Sequence, residues 1–212
     1  MPLPSEEDDG EVKVAVADSG TVFLYEGTET LSLPEAHWAK NSIQEFAQKR
    51  IIPVSLQKDF QPDDAASRQS AVSLLVRSLG LFKGNETAPF SDLSTVQGTA
   101  GKDIVTAYHY GIVNGNEDGR FAPERTLTRQ EFATMMTNAW ESRDGSVSFS
   151  EKQIEEQLRT YSDGSEVPQW ARKSVALALS RGWMNGDGKQ RLQGERDVTM
   201  AEAIVLLDRM ID

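Results

Sequence analysis

The chain has 212 residues, a formal net charge of −11 and no cysteine. That length can bury a hydrophobic core without metal or disulfide support, and the missing thiols exclude disulfide staples, cysteine-type zinc sites and thiol catalysis. Such acidity disfavours nucleic acid and anionic membranes as bulk partners, and it admits an anionic ligand only where a few cations are held locally.

Residues 1–10, with Glu6, Glu7, Asp8 and Asp9, read as an acidic, disordered lead-in. They lack the basic and apolar regions of a signal peptide. No apolar run reaches the roughly 18–20 residues needed to span a bilayer, so no membrane insertion is expected. These features point either to the cytosol or to a piece cut from something larger. Residues 12–17 and 21–25 then alternate around Asp18-Ser19-Gly20, a hairpin signal. A lone hairpin is marginal in water, so residues 1–28 either pack on the rest of the chain or form the tail of an upstream domain.

Beyond residue 28 the chain repeats itself. Trp38, Ile43, Arg50, Phe60, Pro62, Arg68 and Leu79 have counterparts 61 positions on, in Thr99, Ile104, Gly111, Phe121, Pro123, Arg129 and Trp140. A further 71 positions give Trp170, Val175, Gly182, Leu192, Gly194, Met200 and Ile211. A repeat of this period marks a small unit used three times. Apolar residues at helical spacing predict first helices near 39–49, 102–110 and 171–181 and second helices near 68–79, 129–140 and 200–211. A loop of Gly, Asn, Asp and Pro separates each pair, and the extra residues of the second offset leave room for a further helix over 151–158. No single pair can bury its own apolar face, so the expected fold is all-α, three helix–loop–helix units packed around a shared centre.

Chemistry concentrates where the second helix begins. Thr128 and Glu131 fit a capping box, which makes Arg129 the first helical residue. Free amides, the positive end of the helix dipole and a forked guanidinium would together receive a carboxylate or phosphate. Ser67-Arg68 occupies the same place in the first repeat, with Ser70 replacing the boxed Glu, whereas the third keeps Thr199 and Glu202 but carries Met200 in place of arginine.

Other signals lead to plainer readings. Asn114, Asn116 and Asp118-Gly119 open like a calcium loop, yet the twelfth position is Arg125 rather than the required Glu, so a Gly/Asn turn is expected and no metal. His37 precedes a helix and caps or packs, and His109 lies beside two tyrosines; neither belongs to a triad pattern. Asp163 and Glu166 imitate a glycosidase dyad but read as a solvated turn. Trp38 and Trp170 either stack on a sugar face or belong to the core.

The elements Phe-Ser-Asp at 90–92, Gly-Ile-Val-Asn-Gly at 111–115, Asp-Gly-Arg-Phe-Ala-Pro at 118–123 and Leu-Thr-Arg-Gln-Glu-Phe-Ala at 127–133 resemble the S-layer homology (SLH) motif. His37-Trp38-Ala39 is similar to its His-Trp-Ala element, as are Tyr161-Ser162-Asp163 and Trp170-Ala171 in the last copy. The resemblance implies a pseudo-threefold bundle of three motifs, at 29–81, 88–141 and 159–212, forming one compact domain over 29–212. It further implies an extracellular, wall-bound module of a Gram-positive surface, with no catalytic residue and no cofactor. Such a module is a monomer with pseudo-trimeric repeat packing, fused to a larger exported protein. It binds secondary cell-wall polymers, typically through a terminal pyruvylated N-acetylmannosamine held between neighbouring motifs. The family's groove positions fall here on Asp92, Asp163, Trp38, Trp170, Gly111, Gly182, Arg68 and Arg129.

The copies depart from that pattern unevenly: Leu31 or Ser32 stands where the first Asp belongs, Arg50 replaces Gly, Thr99 replaces Trp and Met200 replaces Arg. If each groove takes its arginine from one motif and its Asp, Trp and Gly from the next, Arg68 faces Asp92 and Gly111. Arg129 then faces Asp163, Trp170 and Gly182, and the losses gather in one dead groove. A degenerate SLH scaffold that contacts proteins without binding glycan is the alternative.

Overall fold

The computed structural model describes residues 27–211 except Asn85 and Gln97, together with the backbone of two short strands before them. Those strands, β1 (Ser5–Asp8) and β2 (Glu11–Val14), pair antiparallel with Ser5 opposite Val14 and Asp8 opposite Glu11. The hairpin therefore begins earlier than the alternation predicts, and part of the expected disordered lead-in is strand. Asp9-Gly10 between the strands is a favoured two-residue hairpin sequence, a stronger cue than the alternation further on. The predicted strand at 21–25 lies outside the described residues.

Among the described residues the remaining elements are helices, joined by loops that carry isolated β-bridges. The first repeat holds α1 (Lys40–Gln48), a single extra turn α2 (Val54–Gln57) and α3 (Arg68–Ser78). The second holds α4 (Ala100–His109) and α5 (Arg129–Asp144). After α6 (Glu151–Leu158), the third holds α7 (Gln169–Ser180) and α8 (Met200–Ile211). Each of the six repeat helices starts or ends within a few residues of its predicted limit, and α6 is where the longer offset leaves room for it. Its start is fixed by a capping box of Ser150 and Gln153. Two 3-10 turns, Leu93–Thr95 and Gly164–Glu166, come directly after the Ser-Asp elements, where the apolar spacing predicts no helix. Among the described residues no helix is long and apolar enough to cross a membrane.

The units interlock instead of standing side by side. α3 packs on α4, α5 on α7 and α8 on α1, so each second helix is covered by the first helix of the following repeat. Ile43 and Phe46 of α1, Leu74 and Leu75 of α3, Ile104 of α4, Phe132 and Met136 of α5 and Ile204 and Leu207 of α8 are all fully buried in one core. Polar ties accompany this packing: Ser42 donates to Asp208 at 2.6 Å between α1 and α8, and Arg77 pairs with Asp103 at 2.9 Å between α3 and α4.

A ring of backbone hydrogen bonds makes the threefold relation explicit. The Leu127 amide donates to Ala66 O, Val198 to Leu127 O, and Ala66 to Val198 O, so three equivalent residues close a cycle. The next amides do the same: Arg68 donates to Arg125 O, Arg129 to Arg196 O and Met200 to Asp64 O. One position further, Gln69 reaches Pro123 O, Gln130 reaches Gly194 O and Ala201 reaches Pro62 O. The core and this ring create three seams, each beginning at the first residue of a second helix.

Candidate ligand-binding seams

That ring alters the chemistry expected at the helix starts. The amides of the first two helical residues are spent on carbonyls of the next repeat, and Ser67 or Thr128 accepts the third. No open cluster of amides is left to grip an anion, so the receptor expected from free amides and dipole is not formed there. Any anion entering these seams would meet side chains rather than open amides.

Arg129 is the most engaged of them. Only 7% exposed, it donates from Nε to Leu192 O at 3.1 Å, from Nη2 to Asn185 O at 2.9 Å and from Nη1 to Glu202 Oε1 at 3.2 Å. Burial pushes its guanidinium pKa down while the Glu202 charge opposes that; an arginine stays charged through such a shift. Glu202 also receives Arg196, with Nη1 3.0 Å from Oε2, and the Thr199 amide at 3.1 Å. Burial alone would raise the Glu202 carboxyl, but the Arg196 and Thr199 hydrogen bonds and the Arg129 charge outweigh it and hold it low.

The seam at Arg68 repeats this set with two contacts missing, the Nε bond to a loop carbonyl and the ion pair to the capping glutamate. Arg68, 8% exposed, donates from Nη2 to Asn114 O at 2.8 Å and lies 4.7 Å over the Phe121 ring. Its Nε is buried without a hydrogen-bond partner. Arg125 holds Glu131 through two bonds of 3.1 and 2.9 Å, matching Arg196 on Glu202. At the third seam Met200 replaces the arginine, Ser70 the glutamate and Asp64 the second arginine, so the arrangement is absent there. The repeat offset carried this signal, because Arg125 with Arg196 and Glu131 with Glu202 are themselves a repeat apart, but only the capping role of the glutamates was apparent.

The remaining expected site residues divide by role. Asp92 accepts the amides of Phe121 and Ala122 at 2.9 and 2.8 Å, and Asp163 accepts those of Leu192 and Gln193 at 2.7 and 2.8 Å. Both carboxylates clamp a loop whose second residue is left-handed, Ala122 at φ 58° and Gln193 at φ 52°. Burial would raise Asp92, yet the Phe121 and Ala122 amides keep it below its usual range. Gly111 and Gly182 end α4 and α7 at φ 67° and 73°, and Arg50 takes the same conformation after α1 at φ 55°. A Cβ on either glycine would meet nothing within 4 Å, so backbone conformation selects glycine there, not a close approach. His37 packs just before α1, its Nδ1 accepting the Ala39 amide at 3.2 Å.

Trp38 and Trp170 are 61% and 56% exposed, which removes them from the core. Trp38 lines a cavity of about 190 Å³ together with Arg129, Asp187, Arg191, Glu202 and Arg209. Asp163, Trp170 and Gly182 do not line it. Asp163 still stands behind Arg129, clamping the loop whose Leu192 carbonyl Arg129 holds, so within the expected grouping it is the tryptophan that differs. The loop comes from the next repeat, as expected, but the tryptophan comes from the copy beyond, because α1 and not α7 covers α8. With Arg196 also in the lining, four arginines face two carboxylates, a formal surplus of two positive charges on a chain of net charge −11. The matching cavity of about 180 Å³, lined by Ser55, Ser70, Thr99 and Glu124 among others, has no arginine or lysine.

The threefold helical bundle with charged seams has relatives among known proteins. The S-layer homology domain model matches residues 89–133 and 160–204, the second and third of the three repeats. An endoglucanase of Bacillus sp. strain KSM-635 is 28% identical over 174 residues, covering 82% of this chain and 18% of that protein. S-layer protein EA1 of Bacillus anthracis is 25% identical across 84% of this chain and 20% of its own length. A cellulosome-anchoring protein of Acetivibrio thermocellus is 23% identical across 72% of this chain and 33% of its own. The chain thus spans a fifth or less of the first two relatives and a third of the last.

Proposed function

We propose that this chain is a cell-surface anchoring module that holds a larger protein to the wall by binding an acidic, pyruvylated polymer in its seams. The observation that carries the reading is the arginine-rich cavity beside exposed Trp38, a local reversal of sign on an otherwise acidic chain. A guanidinium pairs with a carboxylate through directed, charge-assisted hydrogen bonds, and an exposed indole offers an apolar face to a sugar ring. Residues 29–81 are read as a third, diverged motif, since their helices complete the ring although their seam has lost its arginine. With motifs at 88–141 and 159–212, two seams keep their cations, Arg68 in one and Arg129 in the other.

The matched motifs and the surface-layer and cellulosome-anchoring relatives support attachment at the cell surface. Enzymes among the relatives align over only a small part of their length, which fits a binding module without turnover joined to varied cargo. The test is retention on purified cell walls before and after chemical removal of pyruvyl groups. Retention should be lost with the pyruvyl groups; retention unchanged by their removal would refute a carboxylate receptor.

A further inference from the structure

Within the cavity beside Trp38, the arginine that marks the motif has the least capacity left. Arg129 is almost wholly buried and already serves Leu192 O, Asn185 O and Glu202. Arg196 is held by Glu202, and Arg191 by Asp187 through bonds of 3.0 and 2.7 Å. Arg209, in the last turn of α8, differs from all three. It lines the same cavity and is exposed, and among the described residues no carboxylate lies within ion-pair distance of it. Its one neighbour of note is the Asn185 side chain, whose oxygen accepts Arg209 Nη1 at 3.1 Å when the amide is turned toward it.

We propose that Arg209 is the residue that reads the acidic group of the ligand in this seam, with Asn185 steering its guanidinium and Trp38 supporting the sugar. Arg129, Arg196 and Glu202 then form the fixed floor of the site. The equivalent positions in the other seams are differently engaged: Asn138 donates to Ile112 O at 3.3 Å, and Arg77 is paired with Asp103 at 2.9 Å. The seam at Arg129 thereby gains a selectivity that the repeat does not supply. This inference rests on the acidic-glycan reading above.

The probe is the methyl glycoside of 4,6-pyruvylated N-acetylmannosamine, with the 4,6-ethylidene analogue lacking the carboxylate as its neutral control. The full chain is titrated while the Trp38 indole amide resonance is tracked, a signal local to this seam. Wild type should bind the acid in preference to the neutral control. Arg209→Ala should weaken the acid about tenfold, the scale of one charge-assisted hydrogen bond, leave the neutral control unchanged, and be partly rescued by Arg209→Lys. Equal affinity of Arg209→Ala and wild type for the acid would overturn the role of Arg209 alone. So would binding that leaves the Trp38 signal unmoved. Failure of wild type to distinguish the two probes would overturn the underlying reading, and this inference with it.

Discussion

Arg129 holds two backbone carbonyls and a carboxylate of the following repeat, so cutting it back strands several buried acceptors at once. Arg129→Ala should cost about 3 kcal/mol of stability, the scale of a broken buried ion pair with its hydrogen bonds. Met200 shows that the same position tolerates an unbranched apolar side chain at 7% exposure. Arg129→Met should accordingly cost only about 1–2 kcal/mol, by filling the volume while leaving Glu202 with Arg196. Urea denaturation of both variants checks the order; an alanine variant as stable as the methionine one would show that the contacts carry little. Gly182→Ala isolates a backbone effect, because a Cβ there meets open space. Its expected cost is about 1 kcal/mol, the penalty of a left-handed alanine, read from the same denaturation curves.

At the scale of the elements, the two seams owe their form to a glutamate that caps a helix and also binds an arginine. Glu131 accepts the Thr128 amide at 2.9 Å while Arg125 grips both its oxygens. Glu202 does the same with Thr199 and Arg196. Burial would raise both carboxyls, but these bonds win and both sit below their ordinary value of 4.5. A carboxyl lowered in the folded state adds stability that is complete above its unfolded value and is lost as pH falls through the folded one. Asp103 works the other way, since burial raises it against the pull of Arg77, and Asp92 adds to the first pair. The melting temperature should therefore hold steady down to about pH 5 and fall below about pH 4.5, with Glu202→Gln flattening that acid limb in calorimetry. An acid limb identical in the variant would mean that Glu202 has no part in it.

The helices were legible because their apolar residues recur at the same offset as their caps, so period and boundary signals agreed. Grouping the site residues was harder. Asp163 and Trp170 stand near one another in sequence with a family pattern to join them, but which first helix covers which second helix is a tertiary choice. That choice brings Trp38 to the Arg129 seam from more than 90 positions away. The clamping role of Asp92 and Asp163 was equally hidden, since a carboxylate that accepts backbone amides looks in sequence like one that faces a ligand.

Taken whole, the molecule sets two electrostatic ranges against each other. Its net charge of −11 repels an acidic polymer at a distance, whereas the cavity beside Trp38 presents a surplus of positive charge only at contact. Salt acts on the first more than on the second, because the screening length shrinks from about 30 Å at 0.01 M to about 8 Å at 0.15 M. Raising salt over that range should therefore speed association with a pyruvylated wall polymer, as long-range repulsion fades. Dissociation should also quicken, since exposed Arg209 loses part of its pairing. Rates on immobilised polymer, taken as a salt series, separate the two effects. Association that slows with added salt would mean that the positive seam governs approach as well as contact, and that the acidic surface elsewhere has no influence on the encounter.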